Sequence, residues 1–242
     1  MIDEKRISIP FPLAPVNVVV GHYGVGKTNF ALNVALDAAA AGAQVTLVDL
    51  DVVNPYFRST EYRALLEDAG VRVVAPVFAE RGCGLDVPSL TGAIAPAIEE
   101  AYAGGTLTII DAGGDDAGAT ALGRFARHVQ AGPYSMLYVV NCFRNLTQTP
   151  TEALDVLREI EAASHLSATA VVSNAHLKAD TDEHVIERGA TFAREVASAA
   201  GLPLACITAP KSLLRADSAK LTVLRGLDNL YPVEPHVKTP WE

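Results

Sequence analysis

Residues 21–28 read "GHYGVGKT" and meet every fixed position of the phosphate-cradling pattern G-x-x-x-x-G-K-[ST]. An apolar run, "VNVVV", precedes them and a helix-like segment follows. Gly21, Gly24 and Gly26 let the backbone turn tightly, so that the N–H groups of His22, Tyr23, Val25 and their neighbours face phosphate oxygens. The following helix, entered through Lys27, Thr28 and Asn29, adds its positive N-terminal end. Lys27 would neutralise the β- and γ-phosphates, and the Thr28 hydroxyl would ligate Mg²⁺.

Three more polar groups end apolar runs. In "TLVDLDVVNPYFRS", Asp49 and Asp51 could order metal-bound and attacking waters near a terminal phosphate. An Asx-type turn capping Asn54-Pro55 would use the same residues. In "LTIIDAGGDDAGA", Asp111 closes a strand where a carboxylate can hold the Mg²⁺ shell through water. Gly113 and Gly114 leave the backbone free to bond a γ-phosphate and to release after hydrolysis. Asp115 and Asp116 read as exposed turn acids. In "VVSNAHL", the Asn174 amide can bond a purine edge or simply end a strand in a turn. Ala175, His176 and Leu177 stand where a guanine-selecting N-K-x-D would carry its lysine and aspartate, which favours adenine. Arg58, Arg81, Arg124 and Arg144 flank strand-end loops; any one could steady transition-state charge, with surface ion pairing as the plain alternative.

The elements that must position these groups are legible as an alternation. Apolar runs "VNVVV", "QVTLVD", "VRVVA", "LTIID", "SMLYVV", "ATAVVS" and "LACIT" read as strands buried on both faces. Helical patterns lie between them, several ending in Gly. This predicts an α/β fold, a doubly wound and mostly parallel sheet flanked by helices, with ligands outside the carboxyl ends of the strands. Residues 1–242 read as a single P-loop nucleotide-binding domain, and "YPVEPHVKTPWE" as a packed or loose tail.

Bulk composition narrows the function. The net charge of -9 disfavours generic nucleic-acid and membrane partners. Cys83, Cys142 and Cys206 share no metal-like spacing, and a reducing, cytoplasmic setting is expected. Cys83 lies between two glycines, while Cys142 and Cys206 read as buried and inert. No apolar stretch approaches the ~20 residues of a membrane span.

Taken in order, "GHYGVGKTNFALNVA", "VTLVDLD", "LTIIDAGG" and "VVSN" resemble the MinD/ParA/CobQ-type P-loop ATPases, a superfamily that includes the nitrogenase iron protein and nickel-insertion ATPases. The resemblance covers most of residues 16–210. It implies ATP with Mg²⁺ and a homodimer that sandwiches nucleotide. It further implies that Lys27 binds phosphate, Thr28 ligates the metal, Asp51 assists water attack from a first switch, Asp111 starts a second, and Asn174 reads adenine. One position departs. The superfamily's deviant motif carries a lysine where this chain has His22 and a glycine where it has Tyr23. That lysine reaches the nucleotide of the opposite subunit. Imidazole is shorter and mostly neutral at pH 7. Either basal hydrolysis is slow, or an arginine or lysine from elsewhere in a dimer or partner supplies the charge; unchanged turnover in His22→Lys would remove that idea. The leading expectation is a slow ATPase acting as a conformational switch on a protein partner, such as a metalloenzyme maturation factor. The alternatives are a carboxylate-activating enzyme resembling dethiobiotin synthetase or cobyrinate amidases, with Arg58 and Arg81 binding the acid, and a non-hydrolysing nucleotide sensor.

Overall fold

The computed structural model describes residues 9–50, 62–75, 92–114, 116–215, 224 and 226–237. Its strands are β1 (Val16–Val20), β2 (Val45–Leu50), β3 (Arg72–Val74), β4 (Leu107–Ala112), β5 (Tyr134–Val140), β6 (Ala170–Ser173), β7 (Leu204–Pro210) and β8 (Leu230–Val233). They form one sheet in the order β3-β2-β4-β1-β5-β6-β7-β8, and every recorded pairing is parallel. All seven strands expected from the apolar runs are present. The eighth departs from the expectation of a tail: "LYPV" pairs with β7 at the sheet's rim. A proline-bearing run is a poor strand candidate, but an edge strand has an unpaired side that tolerates the missing N–H.

The helices are α1 (Lys27–Ala40), α2 (Arg63–Asp68), α3 (Ile94–Tyr102), α4 (Asp116–Gly123), α5 (Ala126–Val129), α6 (Pro150–Ser164), α7 (Glu183–Ala200) and α8 (Lys211–Arg215). Asp116 therefore opens a helix, where a turn acid was expected; Asp115 lies outside the described residues.

Alternation along each strand sends side chains to two cores. Val16, Val18 and Val20 of β1 join Ile98 of α3 and Leu157 of α6 on one face. Val19, Leu47, Ile109, Val139 and Val172 join Phe30, Ala31 and Val34 of α1 on the other. That parity matters for the site. Two residues beyond Leu47, Ile109, Val139 and Val172 stand Asp49, Asp111, Asn141 and Asn174, on the α1 face and at the carboxyl ends of their strands.

Candidate functional site

The phosphate loop leaves β1 and enters α1 between two neighbouring strand ends. Gly21 is pressed against β5, where a Cβ would stand 2.4 Å from the Val139 carbonyl oxygen. Val25 is fully buried under the loop. Gly26 caps α1 in a left-handed conformation, φ 92°. A Cβ there would also meet the Asn174 amide nitrogen at 2.4 Å, so glycine is required by both backbone and space. From this cap the first N–H groups of α1 face outward, the arrangement that binds anions at a helix start.

Lys27 is buried, and its Nζ donates to the His22 carbonyl oxygen at 3.0 Å. Gly114, after β4, touches the same group. A Cβ on Gly114 would lie 2.4 Å from Lys27 Nζ and 2.8 Å from the Tyr23 nitrogen. The loop beyond Asp111 thus packs directly on the phosphate loop. Behind it, Gly113 is in turn pressed by Gly118 of α4, where a Cβ would come within 2.4 Å of the Gly113 Cα.

Asp111 pairs with Val19 of β1 and with Asp49 of β2. Both carboxylates are buried, on the face that α1 covers. Thr28 carries a hydroxyl in the first turn of α1. Hard oxygen donors of this kind suit Mg²⁺, with Thr28 and the two carboxylates as the groups that would hold its shell. The ladder therefore assigns to Asp49 the place beside Asp111. Asp51, expected as a water-positioning and metal-ligating acid, lies outside the described residues, as do Arg58, Arg81 and Cys83.

Across the loop from the acids, the geometry changes the reading of Asn174. Its Nδ2 donates to the Val25 carbonyl oxygen at 2.7 Å, and its Oδ1 accepts from the Thr208 hydroxyl at 2.6 Å. That single hydroxyl hydrogen is shared with the Ser173 carbonyl oxygen, 3.2 Å away. Expected to read adenine, Asn174 here braces the phosphate loop from beneath; the second N–H and the second lone pair of Oδ1 are what is left for a base. Asn29 has a comparable duty. Its Oδ1 accepts from the His236 and Val237 nitrogens at 2.8 and 3.3 Å, while Asn33 exchanges two bonds with Glu234. The segment after β8 is thereby strapped along α1.

Two further side chains lie close to the loop: His176, given no role from sequence, and Arg144, one of the four arginines expected either to steady transition-state charge or to pair at the surface. His176 Nε2 lies 3.2 Å from a Cβ position on Gly26. Burial, helped by Arg144 and Lys178, pushes this imidazole down to about 4. Arg144, in the loop after β5, rests beside Gly24, its Cδ and Nε each 3.9 Å from a Cβ position there. The loop's own His22 is held below its ordinary value by burial and then by Lys27. That direction agrees with the sequence expectation of a mostly neutral imidazole. Cys142 and Cys206 are buried free thiols raised by that burial, consistent with inert packing. Among the described residues no group of three or more His, Cys, Asp or Glu could hold a metal, and no helix is long and apolar enough to cross a membrane.

No family model and no curated protein matches the chain. Solved structures do. The chain is similar to the signal recognition particle 54 kDa protein of Aeropyrum pernix K1, solved in complex with GDP, at 18% identity and a TM-score of 0.52, over 84% of this chain and 43% of that one. It is similar to the cell division protein FtsY of Thermotoga maritima at 22% identity and a TM-score of 0.51, covering 84% and 63% of the two chains. Chloroplast FtsY of Physcomitrella patens matches at 16% and 0.53, covering 83% and 60%. The chain thus spans less than two thirds of the length of each. These neighbours belong to the signal-recognition-particle branch, not to the MinD/ParA branch that the motif order resembles. The likeness carries the fold and not that finer assignment: an eight-stranded parallel sheet of the P-loop NTPase class, with its phosphate loop between β1 and α1.

Proposed function

We propose that this protein binds ATP with Mg²⁺, hydrolyses it slowly, and uses the exchange to change the surface it offers to a second copy of itself and to a protein partner. The observation that carries the reading is the contact between Gly114 and Lys27. A γ-phosphate drawing the Lys27 ammonium away from the His22 carbonyl oxygen acts on the group against which Gly114 rests. Phosphate occupancy and the shape of the loop after Asp111 are then one event, the requirement of a nucleotide switch. Lys27 and the α1 N–H groups bind the phosphates. Asp111 and Asp49 hold metal-bound waters, with Asp51 as the further acid for water attack. No carboxylate follows Asn174 at positions 175–177, which supports adenine over guanine.

A partner-facing role is supported by where apolar surface is exposed. Tyr23, Leu146 and Leu177 are 56%, 61% and 40% exposed, and all three sit in loops at the carboxyl ends of β1, β5 and β6. That is the face on which nucleotide would lie.

The test is ADP release measured together with molecular mass, on wild type and Lys27→Ala, with Mg²⁺ and ATP or GTP. The expected result is slow ADP release, preference for ATP, a dimer that forms with ATP, and loss of turnover by about a thousandfold in Lys27→Ala. Equal binding of GTP would remove the adenine assignment. Absence of nucleotide binding would remove the reading as a whole.

A further inference from the structure

We infer that Arg144 is the second positive charge of the phosphate site, supplied by the same chain from the loop after β5, in place of the lysine that position 22 lacks. The inference rests on the nucleotide-binding reading and names one more residue within it.

Arg144 is held as a binding residue would be. Its backbone nitrogen donates to the Asn141 carbonyl oxygen at 3.1 Å. The buried Thr147 hydroxyl bonds both the Asn141 and Arg144 carbonyl oxygens, at 2.9 and 3.2 Å, and its nitrogen reaches the latter at 3.3 Å. Leu146 completes the turn at φ 61°, a left-handed conformation a leucine adopts only under constraint. The side chain then runs alongside Gly24, within 3.9 Å of its Cβ position.

What Arg144 lacks is equally informative. Its Nε is buried and makes no hydrogen bond with the described residues. None of the ion pairs among those residues includes it. Among the described residues, then, the surface ion pair that is the plain expectation for such an arginine is not formed. A guanidinium stays charged at any pH a protein tolerates, and a buried donor with nothing to meet is costly. The anion this neighbourhood gathers, through Lys27 and the first N–H groups of α1, is a phosphate. Arginine's planar fork matches two phosphate oxygens. The shorter His22 imidazole, held below its ordinary value by burial and then by Lys27, is a poorer source of that charge.

The experiment compares binding of MgADP with binding of MgADP–aluminium fluoride, a mimic of the transferring phosphoryl group, so that slow turnover does not obscure the answer. Wild type, Arg144→Ala, Arg144→Lys and Lys27→Ala are used, each checked for an unchanged melting temperature. In Arg144→Ala, MgADP affinity is expected to stay within about threefold of wild type, while the aluminium fluoride complex weakens by about a hundredfold or more. Arg144→Lys recovers part of that loss, and so does free guanidinium added to Arg144→Ala, which a merely structural role would not permit. Equal loss for both ligands, or loss for neither, overturns the proposal while leaving nucleotide binding intact. If wild type binds neither ligand, the underlying reading falls and this inference falls with it.

Discussion

The two sides of the phosphate loop are built from opposite chemistries. Toward β4 and β2, the strand ends carry buried carboxylates, Asp111 and Asp49, paired across the ladder. Toward β5, β6 and β7, they carry Asn141, Asn174 and Thr208, with Arg144 and His176 beyond. One side suits a metal and water. The other shapes the loop and offers it cationic and amide donors. Both sides lie on the α1 face through the same strand parity, so the contrast comes from residue type alone. It teaches that a phosphate loop is held as well as loaded, and that the two duties are divided between its neighbours.

That division can be broken from either side. Asp111→Asn removes a carboxylate proposed for the metal shell and leaves the loop's braces in place. Turnover in the presence of Mg²⁺ should fall by at least about a hundredfold, with the melting temperature unchanged. A matching loss of thermal stability would show that Asp111 belongs to the frame instead.

Asn174→Ala attacks the other side. It deprives the Val25 carbonyl oxygen and the Thr208 hydroxyl of partners at 2.7 and 2.6 Å. The expected cost is about 2 kcal/mol, a drop of several degrees in melting temperature. ATP and GTP should weaken together, because the loop and not the base contact has been disturbed. A loss confined to ATP would return Asn174 to the role of base reader.

A third effect, confined to acid, is that of pH. His176 titrates near 4 in the folded chain against 6.5 when exposed, so between these values the unfolded chain binds more protons. Stability is then complete above about pH 6.5 and declines as pH falls toward 4, by a contribution on the order of 3 kcal/mol. His22 and His236, also lowered by burial, act in the same direction. His176→Gln should flatten this part of a urea-unfolding profile, and an unchanged slope would place the titration elsewhere.

Much of this was legible along the chain. Seven strands announced themselves because a parallel sheet covered on both faces needs nearly continuous apolar runs, and "VNVVV" or "SMLYVV" can serve little else. The phosphate loop was legible for a related reason: backbone cradling demands glycines and a lysine at fixed spacing, and those demands are local. Asp111 followed from its place at the end of "LTII".

What tertiary structure decided was every property that depends on a neighbour distant in sequence. Asp49 stands opposite Asp111 because β2 and β4 share an edge, and sequence order does not state which strands pair. Asn174 braces Val25 across 149 residues, so its type at a strand end could equally have meant a base contact. Gly114 looked like a free hinge and is a close fit against Lys27. Arg144 was one of four arginines beside strand ends; only the packing of β5 beside β1 singled it out among those described, by laying it against Gly24. Local pattern specifies what each segment must become, since burial and backbone chemistry act on adjacent residues. Which strand ends meet is settled by the order of strands in the sheet, and the chemistry of the site follows from that order.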